Sequence, residues 1–142
     1  MRLKAFGGLA ITIGGDRTEE PRLQRRQLAL LAALAAEAPA GLTRDRLLGL
    51  FWPDKNSDKA RHALDQLLYG IRRALGAEVL RSGPANLAVN AAVLPSDAAE
   101  FIAALARGDH EAAAAVYTGP FLDGVHLSDA PEFERWAESR RS

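Results

Sequence analysis

Apolar residues along the chain change their spacing several times, and each change predicts an element. In residues 2–13 Leu3, Ala5, Leu9, Ile11 and Ile13 recur at a period near two. That period predicts two short strands, "RLKAF" and "LAITI", joined through Gly7-Gly8. Gly14-Gly15-Asp16 reads as a second turn with a third short strand after it. From 25 to 38, "RRQLALLAALAAEA", the residues are strong helix formers and apolar round most of the circumference. Such a helix belongs deep in a core. Pro39-Ala40-Gly41 ends it. Thr43 then suits an N-cap for a helix over 44–52, with Leu47, Leu48, Phe51 and Trp52 inward and Pro53 as its stop.

The stretch "SDKARHALDQLLYGIRRALG", 57–76, predicts one long amphipathic helix, capped by Ser57 or Asp58 and stopped at Gly76. Ala60, Leu64, Leu67, Leu68, Ile71 and Leu75 recur at three- and four-residue steps and form its buried stripe. Residues 78–90, "EVLRSGPANLAVN", predict a strand, a turn at Ser82-Gly83-Pro84 and a second strand. After Pro95 the composition becomes alanine-rich. Three further helices are predicted there: one capped by Ser96 or Asp97 with Phe101, Ile102 and Leu105 inward, one over "HEAAAAVYTG", and one over "DAPEFERWAESRR" with Ser128 and Asp129 as caps. The sum is a mainly α chain with small β-sheets, divided into residues 1–95 and 96–142.

Composition refines this picture. Apolar residues make up 48% of the 142, enough for a packed core. The chain has no cysteine, which excludes disulfides, thiolate metal sites and cysteine nucleophiles, and fits a reducing cytoplasm. Its longest apolar run, 28–36, is far short of the roughly 20 residues that span a membrane. The two early cations and apolar start resemble a secretory signal, but the glycines and the strand-like alternation argue for a hairpin. Net charge is zero, yet residues 1–95 hold 14 Lys+Arg against 9 Asp+Glu, and residues 96–142 hold 4 against 9. A basic front and an acidic back predict modules with different partners.

The order helix, turn, helix, hairpin is the winged helix-turn-helix plan. There the second helix of the pair enters the DNA major groove and the hairpin touches the backbone or minor groove. Opposite the apolar stripe of 57–76 lie Lys59, His62, Asp65, Gln66, Tyr69 and Arg73, with Arg61 and Arg72 on the flanks. Apart from Asp65 these are side chains that donate to phosphates or reach base edges. Lys59, Arg61, Arg72 and Arg73 are expected on phosphates; His62, Gln66 and Tyr69 are expected to discriminate bases. A charged outer face is also what any soluble helix presents, so the rival expectation is a protein-interaction module that never touches DNA.

Four stretches, "QRRQLALLAALA", "GLTRDRLLGLFWPD", "KARHALDQLLYGIRRALG" and "FLDGVHLSDAPEFERW", together resemble the N-terminal part of the antibiotic-regulatory-protein (SARP) class of bacterial transcriptional activators. The Leu-Phe-Trp-Pro step at 50–53 and the run from Ala60-Arg61 to Ile71-Arg72-Arg73-Ala74-Leu75 carry most of the likeness. The resemblance implies an OmpR/PhoB-type winged helix-turn-helix with a four-stranded sheet before it, then a bacterial transcriptional activator domain of TPR-like helical repeats. It also implies a DNA-binding activator that sits on direct repeats near promoters, with two copies side by side and contact to RNA polymerase. The hairpin "GPANLAV" departs from the family in lacking an aromatic, and Arg81 is its only basic residue. The activator segment here holds about one and a half helical hairpins. Phe133 and Trp136 are therefore expected to lie uncovered, in a fragment, a natural truncation or a chain that dimerises there.

No enzymatic constellation emerges. His62, His110 and His126 lack ligand spacing and have no cysteine partners, so no metal or cofactor is expected. "HLSDAPE" places a His, a Ser and an Asp in sequence without the preformed geometry a triad needs.

Overall fold

The computed structural model describes residues 1–12 and 23–141. The chain is mainly helical, and the described residues form two small antiparallel sheets. The third strand and the Gly14-Gly15-Asp16 turn expected after Thr12 lie outside the described residues. Strands β1 (Arg2–Lys4) and β2 (Ala10–Thr12) pair antiparallel with Leu3 opposite Ile11, so both side chains enter the core.

Helix α1 (Arg25–Ala36) is buried from Ala29 to Ala36, as its unbroken Leu/Ala run requires. Its start is closed by a reciprocal box: the Gln24 side chain takes the Gln27 N–H, and the Gln27 side chain accepts the Gln24 N–H at 2.8 Å. Gln27 is itself buried and points its amide toward the Leu67 carbonyl. Room for it exists because Gly70 stands alongside; a Cβ there would strike the Gln27 amide.

The short strand β3 (Leu42–Thr43) leads into α2 (Arg44–Phe51). Thr43 caps α2 through its hydroxyl, which accepts the Arg46 N–H at 3.0 Å. Leu47, Leu50 and Phe51 are the buried residues of α2; Leu50 replaces the expected Leu48, which is half-buried. Helix α3 (Ser57–Leu75) buries Ala60, Leu64, Leu67, Leu68 and Ile71. Asn56, rather than Ser57 or Asp58, is its cap, accepting the Lys59 N–H at 2.9 Å. The cap therefore falls one residue earlier than expected, and Ser57 and Asp58 supply the first helical turn. A short 3-10 turn (Ala77–Val79) passes into β4 (Leu80–Ser82) and β5 (Asn86–Val89), the predicted hairpin. β5 also pairs with β3, giving the order β3-β5-β4.

Helices α4 (Asp97–Ala106), α5 (His110–Val116) and α6 (Pro131–Arg141) follow. Ser96 caps α4, leaving Asp97 for another task. Its buried carboxylate accepts the N–H groups of Ala5 at 2.8 Å and Phe6 at 3.0 Å. The same seam continues through Leu3 N–H to the Pro95 carbonyl, Gly7 N–H to Pro120, and Leu122 N–H to the Ala5 carbonyl at 2.7 Å. The first strand is thus stitched to the segment that follows Pro95.

Residues on both sides of Pro95 contribute to one buried cluster. Phe133 and Trp136, expected to lie uncovered, are fully and nearly fully buried. Phe133 stacks on Phe51, and Trp136 meets Phe121 edge-on at 5.7 Å. The cover comes from the same chain, from α2 for Phe133 and from Phe121 for Trp136. Asp129, expected as a cap of α6, instead takes the Arg26 guanidinium at 2.5 Å. Arg26 also donates to the Phe51 carbonyl at 2.8 Å and lies over the Trp52 ring, tying α1, the end of α2 and the approach to α6 together. Leu105, expected inward, is 45% exposed.

Candidate functional site

The exposed side of α3 displays a row of hydrogen-bond donors. Its local cause is plain. The helix has one strong apolar stripe, a side-chain cap at its start and Arg72 and Arg73 in its last turn, where cations oppose the negative end of the helix dipole. Burial of Leu64, Leu68 and Ile71 fixes the helix rotation. Residues 59, 62, 66, 69 and 73, spaced by three and four, then share the opposite face.

Lys59, His62, Gln66, Tyr69 and Arg73 are all exposed, Tyr69 at 64%. Lys55, from the turn before the helix, joins Asp58, Lys59, His62, Ala63 and Gln66 around one shallow depression, so one carboxylate stands among the donors. Lys55 was not among the expected site residues. Lys55 precedes the Asn56 cap, so helical spacing could not have placed it; the fold of the turn brings it there. Tyr69 accepts a hydrogen bond from Arg73 at 3.3 Å, so the ring and the guanidinium stand together at the C-terminal part of the face.

The flanks behave differently. Arg61 is exposed and stands 4.0 Å from Asp58 in the ion-pair sense; it also borders a depression with Arg44, Asp45 and Asp65 between α2 and α3. Of the two exposed acids on this helix, Asp58 stands by Arg61 and Asp65 faces Arg44 at 3.6 Å. The second pairing offsets the negative charge of Asp65 locally. Arg72 is half-buried and donates to the Ser82 hydroxyl at 2.9 Å, which couples α3 to β4. Arg81 is exposed on β4 and donates to Asn90 at 3.2 Å; Asn90 in turn donates to the Glu78 carbonyl at 3.1 Å.

The expected residues therefore separate into three groups. Lys59, His62, Gln66, Tyr69 and Arg73 form a continuous stripe. Arg61 lies on the side of α2. Arg72 and Arg81 belong to the junction with the hairpin, each already holding one side-chain partner. Chemically the stripe presents cations, an imidazole, a carboxamide and a phenol to solvent, on a rigid helix. It can engage a polyanion or the polar edge of a ring system.

No family model matches the chain, and no curated protein is significantly similar to it. Among the described residues no helix is long and apolar enough to cross a membrane.

Proposed function

We propose that the chain is a sequence-specific DNA-binding transcriptional regulator, non-enzymatic and cytoplasmic. In this reading α2 and α3 form a helix-turn-helix, α3 is the helix that enters the major groove, and β4–β5 is the wing. Helices α4 to α6 are a short TPR-like segment. The observation that carries the reading is the uncovered stripe from Lys59 to Arg73 on a helix whose other face is buried and whose end is tied to a hairpin through Arg72 and Ser82. The order of elements and the likeness to SARP-class activators support it.

Lys59, Arg61 and Arg73 act on phosphates and release counterions. His62, Gln66 and Tyr69 face base edges. Arg72 and Arg81 reach the backbone from the hairpin junction. A single module of this size buries limited surface, so tight binding needs two copies on repeated half-sites. The acidic segment after Pro95 then offers a surface for RNA polymerase, and activation follows from that contact. The rival reading is an interaction module that uses the winged-helix surface or the Phe133/Trp136 face; burial of both rings removes only the second of these surfaces.

Selection of the purified chain on a random duplex library at moderate salt tests the proposal. Enrichment of a short repeated motif, lost in Gln66→Ala, is the expected result. A folded protein that enriches nothing sinks it.

A further inference from the structure

A second feature lies away from α3. Between α4, α5 and the end of α6 the surface opens into a cleft of about 360 Å³. Phe6, Phe101, Ile102, Leu105, Tyr117 and Phe121 supply most of its wall. The rings form a connected array: Phe6 lies 5.2 Å from Phe101, 4.9 Å from Tyr117 and 6.0 Å from Phe121, and Phe101 lies 5.7 Å from Tyr117. Leu105 and Tyr117 are 45% and 43% exposed. Among the described residues the only other large hydrophobic so exposed is Tyr69 on α3. Exposed apolar area gathered in one concavity, rather than scattered, marks a binding surface.

The charged groups on this cleft are Arg140 and Arg141, and no carboxylate lines it. The two arginines differ in what remains free. Arg141 is spent: Nε donates to the Phe121 carbonyl, Nη2 to the Leu122 carbonyl and Nη1 to Glu138. Arg140 gives only Nη2, to Glu37, and lies over the Trp136 ring at 5.4 Å. Its Nε and Nη1 have no hydrogen-bond partner among the described residues, and its side chain is 40% exposed. A ligand for this place has a flat apolar body to lie against tilted rings and one anionic end to take the open edge of Arg140.

We propose that this cleft binds a small aromatic carboxylate, with the ring system lying against Phe101 and Tyr117 and the carboxylate on Arg140. The volume falls at the lower end of the range usual for small-molecule sites, which suits a bicyclic acid and excludes a folded peptide. Nothing in this inference depends on what α3 binds.

The test uses the whole chain and 2-naphthoate as probe, with 2-naphthamide as the uncharged control, followed by titration with NMR and calorimetry. Naphthoate is expected to saturate and to shift the ring resonances of Phe101 and Tyr117. The amide should bind about tenfold more weakly. Arg140→Gln should bring the acid down to the amide, and Leu105→Glu should weaken the acid at an exposed position that does not threaten folding. Equal binding of acid and amide overturns the proposal, as does the absence of saturable shifts in protein whose spectrum is that of a folded chain. Concentration-dependent self-association of the ligand-free chain, abolished by Leu105→Glu, overturns it too, since a second copy would then occupy the cleft.

Discussion

The rings of Phe51 and Phe133 lie 4.9 Å apart and within 30° of parallel, joining the end of α2 to α6 across more than half the sequence. From them a chain of rings continues through Trp136 and Phe121 to Phe6, Tyr117 and Phe101. Both phenylalanines are essentially without solvent exposure. Truncating Phe133 removes a large buried ring from the middle of this array. Phe133→Ala should cost about 3–5 kcal/mol, read as a lower urea midpoint at unchanged slope. Trp52 and Trp136 share the ring array at the α2–α6 contact, so tryptophan fluorescence reports that contact and far-UV circular dichroism reports the whole chain. The shared core predicts coincident transitions; separate midpoints would show two independent units.

Asp97 makes its contribution through geometry. One carboxylate oxygen serves Ala5 N–H and the other serves Phe6 N–H. Asparagine keeps one acceptor and turns an NH2 toward an N–H. Asp97→Asn should therefore lose about 1.5–3 kcal/mol, more than a surface exchange costs. Hydrogen exchange should quicken first at Ala5 and Phe6. Unchanged protection there would contradict the role given to Asp97.

The turn before β3 depends on a glycine. Gly41 has φ of 76° and packs so closely on β5 that a Cβ would fall on the Leu87 carbonyl. Both strain and collision oppose any side chain. Gly41→Ala should cost more than about 1 kcal/mol, with the β3–β5 pairing loosened. A thermal midpoint equal to that of the parent would show the backbone adjusts freely.

Arg2 and Glu100 form a two-pronged pair at 2.7 and 2.8 Å. The hydrogen bond from Arg2 holds the Glu100 carboxyl below its ordinary value of 4.5, and the guanidinium charge acts in the same direction against partial burial. A depressed folded-state pKa means stability that is present above the unfolded value and lost as pH falls through the folded one. Both side chains are more than a third exposed, so solvent screening keeps the contribution below about 1 kcal/mol. Glu100→Gln should lower the melting temperature slightly at pH 7. The gap to the parent should close on acidification below the ordinary glutamate range. A gap that persists in acid would assign the loss to something other than the charge.

On the proposed function, different residues of α3 should fail in different ways. Lys59→Ala should weaken all duplexes alike and lower the salt slope by about one. Gln66→Ala should relax preference at one base pair, at about 1–3 kcal/mol on the best sequence. Competition titrations over a range of salt separate the two. If both variants lose affinity uniformly, the helix holds phosphates without reading bases.

Periodicity by itself determined the order of the helices and of the two hairpins here, but gave no sign of the two-residue strand β3. It made α1 a core helix, placed the Thr43 cap and the Ser82–Pro84 turn, and divided α3 into a buried stripe and a wet face. These follow from local rules, because the spacing of apolar side chains fixes which face of an element is covered. The same rules located most of the exposed stripe, since a residue opposite Leu64, Leu68 and Ile71 has nowhere else to go. What covers a given face is not local. Only the tertiary structure decided that Phe133 and Trp136 meet Phe51 and Phe121, that Asp97 holds the first strand instead of capping α4, and that Asp65 is matched by Arg44. It also decided that Leu105 borders a cleft rather than a core. Each of these depends on a partner far away in sequence, brought near by the packing of the whole chain, and an apolar or acidic residue carries no mark of which distant partner it will meet.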